Sequence, residues 1–187
     1  MPSAFDYSSM TWTKGQQNPP GIRDKVYFIP KRHITGWPTI DTEAETAQAA
    51  VTYVGSFTLA AEKTWLQLDV NPDKSPVTCE PQGEDDSKTF LNKATFKFPG
   101  THEEAAAFAM KMNNDDMVFL VHLKHPNKYR VIGSELWRTR VSNTIAIGAA
   151  PTDEKGITIE VECSDIAPAP FYDGAIITED GDVNPSS

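Results

Sequence analysis

The residues best spaced for chemistry run from Asp69 to Glu80. Asp69, Asn71, Asp73 and Glu80 fall at positions 1, 3, 5 and 12 of a calcium-type loop, where oxygen ligands converge on a hard cation. Lys74, however, stands where such a loop needs glycine for its sharp turn. The flanking residues alternate as strands do, and Asp, Asn and Pro are ordinary turn residues. The segment reads as a turn between strands, and no metal is assigned.

His122 and His125 are three apart, which on a strand sends them to opposite faces, and no Cys or third His stands near them. Three acidic groups remain: Glu84-Asp85-Asp86, Glu103-Glu104 and Asp115-Asp116. Acid–base catalysis needs carboxylates facing each other across a cleft, which adjacency in sequence does not supply. Glu103 and Glu104 suit a helix N-terminus electrostatically. No Gly-x-Ser-x-Gly, phosphate loop or dinucleotide fingerprint occurs. The reading is of a non-enzymatic chain with no catalytic residue and no cofactor.

The elements that carry these residues are mainly β. One helical signature stands out, over about 101–113. Thr101 is placed to cap it with Glu104 reaching back, and Ala105, Phe108, Ala109 and Met112 share one face. Around it, Val26–Ile29, Val51–Leu59, Glu62–Val70, Pro76–Gln82, Phe90–Phe98 and Asn143–Ala149 read as strands. Met117–Leu123 is apolar on both faces and predicts a central strand. His125-Pro126-Asn127-Lys128 turns it back into Tyr129–Ile132. The cleanest alternation puts Ile157, Ile159, Val161 and Cys163 inward against Thr158, Glu160, Glu162 and Ser164. The expected fold is an antiparallel β-sandwich or barrel with one flanking helix.

The 187 residues suit one domain with a real core. The predicted organisation is an extended arm over 1–24, the β domain over 25–164, and an irregular acidic tail over 165–187. The net charge of −9, from 26 acids and 17 bases, argues against wrapping a nucleic-acid backbone. It allows a surface that DNA passes without sticking. Cys79 and Cys163 read as free buried thiols. No apolar run reaches the roughly 20 residues of a membrane helix, and the first residues lack a secretory pattern. A membrane partner is therefore not expected.

The arm holds Asn18-Pro19-Pro20-Gly21 but also Phe5, Tyr7, Met10 and Trp12. Aromatics in an irregular arm point to docking on a surface. Trp65 and Trp137 lie in strand-like surroundings and read as partly core. Phe5, Tyr7, Trp12 and Trp37 are the candidate subunit-interface residues.

In organisation the chain resembles the tail tube proteins of tailed bacteriophages and related contractile injection systems. The resemblance rests on Asn18-Pro19-Pro20-Gly21 leading into Val26-Tyr27-Phe28-Ile29-Pro30 and on the helix at 101–113 between β segments. It also rests on Tyr129-Arg130-Val131-Ile132-Gly133-Ser134-Glu135 and on the run Thr152 to Val161. It spans roughly residues 18–174 and implies a β-sandwich subunit. Six copies would form a ring whose inner sheets merge, and rings would stack into a tube in the virion tail. Its partners would be itself and other tail or neck proteins, after synthesis in the host cytoplasm. Glu160 and Glu162, on the polar face of the cleanest strand, are the lumen candidates, where negative charge repels phosphate. The alternatives are a neck, tail-completion or capsid decoration protein, and a carbohydrate-binding sandwich using Trp12 or Trp37.

Overall fold

Val118, Phe119, Leu120 and Val121 are consecutive and all fully buried, so their strand must be covered on both faces, and that requirement sets the layering. The computed structural model describes residues 6–184. In chain order the strands are β1 (Ile22–Pro30), β2 (Ile34–Gly36), β3 (Thr39–Ile40), β4 (Tyr53–Val54), β5 (Thr58–Leu59), β6 (Leu66–Asp69), β7 (Val77–Gln82) and β8 (Thr89–Phe98). After helix α1 (Glu103–Met112) come β9 (Met117–Leu123), β10 (Tyr129–Ile132), β11 (Arg140–Ala146), β12 (Gly156–Asp165), β13 (Phe171–Tyr172), β14 (Ile177–Thr178) and β15 (Gly181–Asp182).

Two antiparallel sheets dominate. One runs β13-β10-β9-β1-β6, the other β11-β12-β8-β7. The expected central strand is β9, and the expected hairpin is β9–β10, with Val131 opposite Leu120. On β12 the alternation holds: Ile157, Ile159, Val161 and Cys163 are buried. The described residues form a mainly antiparallel β-sandwich with one α-helix.

Between the sheets, Val26, Phe28, Phe119 and Val121 meet Ala94, Phe96, Ile159 and Val161. Phe96 and Phe119 pack with ring centroids 5.5 Å apart. Helix α1 closes this core with Ala105, Ala109 and Met112, while Phe108 meets Phe28 edge-on at 5.1 Å. Each aromatic side chain fully buried here contributes roughly 1.5–3 kcal/mol. The other face of the five-stranded sheet carries a second core, in which Tyr27, Ile29, Leu120 and Val131 are covered by Phe57, Trp65, Tyr172 and Ile176.

Four expectations are corrected. The helix begins at Glu103 with His102 at the N-cap and no side-chain cap bond, so Thr101 lies one residue too early to cap. Residues 51–59 are not one strand, because Gly55, at φ 89°, separates β4 from β5. Residues 165–184, the described part of the expected irregular acidic tail, are built into the fold. Asp165 is the last residue of β12, and Tyr172 and Ile176 are fully buried. Their apolar side chains are needed to cover the outer face of β9 and β1. The arm is also shorter than expected, since β1 starts at the buried Ile22. Cys79 and Cys163 are free thiols, and burial pushes the Cys163 thiol up to about 11.

Candidate functional site

Residues 6–21 form no strand or helix and are exposed throughout. Pro19 and Pro20 remove two amide donors from this stretch and disfavour pairing into a sheet. Tyr7 and Met10 are 99% exposed and Trp12 59%. Two of the candidate interface residues, Tyr7 and Trp12, thus lie in open solvent. Phe5 lies outside the described residues.

Trp37 sits elsewhere and is half-buried. Its ring meets Phe57 edge-on at 5.2 Å, and the Lys31 ammonium lies 5.6 Å from its centroid. It forms one wall of a cavity of about 210 Å³, shared with Tyr53, Glu135, Leu136, Asp165 and Ile166. Leu136 is 73% exposed and Ile166 52%, so an apolar rim stands over Asp165, with the exposed Glu135 beside it.

Asp165 is 4% exposed. Its Oδ1 accepts the backbone amide of Ile166 at 2.7 Å, while its Oδ2 has no hydrogen-bond partner. Burial pushes its carboxyl up to about 6, against the opposing pull of the Ile166 and Ala167 amides. Burial, Asp165, Cys163 and Glu135 together raise the Tyr53 phenol. Among the described residues, no ion pair engages the carboxylate of Asp165 or Glu135. Lys31 reaches the main chain instead, donating to the carbonyls of Glu135 (2.9 Å) and Trp137 (3.3 Å).

Glu160 and Glu162 lie on the outer face of the four-stranded sheet, opposite the core register. Glu162 sits between Arg140 and Lys93, and Glu160 between Ser142 and Thr95. Arg140 Nη1 is 3.9 Å from Glu162, Lys93 pairs with Glu80 at 3.1 Å, and Lys97 donates to Thr158 on the same face. The two glutamates therefore do not form an acidic stripe. Cross-strand bases interleave with them.

The calcium-like spacing does not gather its oxygens. Asn71 uses its Oδ1 to accept the Asp73 amide at 3.2 Å, Asp69 accepts from Gln67 at 2.7 Å, and Glu80 is held by Lys93. Among the described residues no three of His, Cys, Asp and Glu converge to hold a metal. His122 stacks on Tyr129 at 4.2 Å and contacts Asn127 Oδ1 at 2.6 Å. Burial lowers its pKa. Among the described residues no helix is long and apolar enough to cross a membrane.

Asp165 and its cavity partners Glu135, Leu136 and Ile166 escaped the sequence reading. A signal for Asp165 existed: continuing the β12 alternation two residues past Cys163 places a carboxylate in the inward register. Leu136 and Ile166 offered none, because an isolated apolar residue beside a loop is ordinary. No family model, curated protein or solved structure matches the chain.

Proposed function

We propose that this chain is a structural subunit that assembles with copies of itself, as the tail tube proteins it resembles do. In that reading six copies close into a ring, rings stack, and DNA passes through without specific binding. The protein's place is then the virion tail.

The observation that carries the reading is the arm. Three large apolar side chains within six residues are exposed, Tyr7 and Met10 almost entirely and Trp12 by more than half. Exposed anchors of this kind gain burial at an interface. The sheet edges support it as well. On the four-stranded sheet, the edge of β11 is blocked at Asn143, whose amide donates to Asn113 Oδ1 at 2.9 Å. The β7 edge contains Pro81, which cannot donate to a further strand. The five-stranded sheet ends on β6, with Leu66 exposed, so this edge is suited to pairing across subunits.

Sedimentation velocity over a concentration series, with negative-stain microscopy of the full chain, tests the reading. Rings that stack into tubes are expected. Single rings that never stack would favour a neck or completion role. A monomer at every concentration would reject self-assembly.

A further inference from the structure

The arm leaves the sandwich at Ile22, the first residue of β1. The Trp37 cavity lies beyond the other end of the same strand, where Lys31, next after Pro30, reaches the carbonyl of Glu135. At the usual rise of a strand, the nine residues of β1 separate these two ends by about 26 Å. Projecting anchors and an open cavity at opposite ends of one subunit form a head-to-tail pair. Such contacts repeat from copy to copy rather than closing on a two-fold axis.

The chemistry of the two ends matches. The cavity offers Trp37, Tyr53, Leu136 and Ile166, together with the Asp165 and Glu135 carboxylates that lack a cation. The arm offers Trp12 and, two residues later, Lys14, which is the one basic residue between positions 6 and 21. Lys14 is exposed and appears in no ion pair among the described residues. A second apolar cavity, of about 270 Å³ and lined by Leu68, Phe98, Phe108 and Ile159, offers a single carboxylate, Glu104, where the Trp37 cavity offers two. Another, of about 530 Å³, is lined by Leu91 and Trp137 together with Gln82, Arg138, Arg140, Glu162 and Ser164, so it would meet Lys14 with two arginines.

From this complementarity, and resting on the assembly reading above, we infer that the Trp37 cavity receives the arm of a second copy. Trp12 packs on the apolar rim of Leu136 and Ile166, and the Lys14 ammonium faces Asp165 and Glu135. The contact links one ring to the next along the stacking axis. Lys31 stays on its main-chain carbonyls and leaves both carboxylates to the incoming cation.

Cysteine pairing tests this on full-length chains. Trp12→Cys and Leu136→Cys are placed on separate chains, mixed, and oxidised gently. Both positions are exposed, so folding should be unaffected. The expected result is a disulfide-linked heterodimer in the mixture that neither chain gives alone. Lys14→Glu should raise the concentration needed for half-assembly about tenfold, the equivalent of one good ion pair, and Glu135→Lys on the same chain should restore it to within about twofold. Normal assemblies without the cross-link would overturn this docking site and leave self-assembly standing. A chain carrying both cysteines that closes the disulfide within a monomer would show the arm on its own body and overturn the second copy as occupant. A wild-type chain that stays monomeric at every concentration would remove the assembly reading, and this inference with it.

Discussion

The hydroxyl of Tyr172 accepts the backbone amide of Phe57 at 3.1 Å, and the two rings lie 5.1 Å apart. One contact thereby ties the C-terminal segment to the hairpins between β2 and β6. The same hydroxyl donates to the carbonyl of Ala175 at 2.8 Å, so a single buried phenol satisfies one main-chain group three residues away and another 115 residues away.

Tyr172→Ala should cost about 3–5 kcal/mol, because a fully buried aromatic leaves a cavity that the second core cannot refill. Tyr172→Phe keeps the ring and strands the Phe57 amide and Ala175 carbonyl, at about 1–3 kcal/mol. Urea unfolding of both variants measures the difference. An alanine variant as stable as wild type would show that residues 165–184 do not form part of the cooperative core.

Asp165 gives the fold a pH dependence with a definite sign. Its folded pKa of about 6 stands above the ordinary value of 3.8, so the unfolded chain gives up this proton first. Its contribution to stability is most favourable below pH 4, is lost as pH rises from about 4 to 6, and stays lost above that. Asp165→Asn keeps an acceptor for the Ile166 amide and removes the charge. At pH 7 it should be more stable than wild type by something on the order of 2–3 kcal/mol, with the gap closing towards pH 4. Paired denaturation curves at pH 4, 5, 6 and 7 read this directly. A gap that does not change with pH would contradict it.

Deleting residues 1–21 should leave the melting temperature within a few degrees of wild type and abolish assembly. The cut must stop at Gly21, because Ile22 is 2% exposed and pairs with Leu123 at the start of the sheet. Thermal melting and sedimentation velocity on the truncated chain separate the two effects. Normal assembly of the truncated chain would rule out the arm as the clasp.

The sheets were legible where burial imposes a period. Residues 157–163 alternate because one face of β12 is core and the other is wet, and Met117–Leu123 is apolar throughout because β9 is covered twice. The helix was legible from Ala105, Phe108 and Met112, but its start was not, since a cap depends on the backbone entering at His102. The second core was illegible for a related reason. Phe57, Trp65, Tyr172 and Ile176 come from short pieces of chain, each too brief to show a period, and their burial exists only once β9 and β1 present an outer apolar face. The Trp37 cavity is likewise built from four separate segments. Trp37 was visible as an aromatic in a breaker-rich stretch, whereas its neighbours Leu136 and Ile166 become a rim only in the folded chain.

Glu160 and Glu162 provide the remaining test, and their setting sharpens it. Changing both to lysine should cost little beyond the lost Arg140–Glu162 contact. Glu162 does face Lys93 and Arg140 across the strands, so a lysine there sets like charges opposite each other. The cost is roughly 0.2–1 kcal/mol per pair. The larger effect is on the face as a whole. It now interleaves Glu80, Glu160 and Glu162 with Lys93, Lys97 and Arg140, three acids against three bases. The double substitution leaves one acid against five bases, a surface that binds phosphate with strong salt dependence. If this face lines a channel, the variant should assemble, retain DNA at low salt and release it as salt rises. The measurements are DNA retention by purified assemblies across a salt series, and DNA ejection where particles form. Wild-type assemblies should show no retention, since a balanced face offers phosphate no net attraction. Assemblies of the variant that fail to retain DNA at low salt would place this face outside the channel.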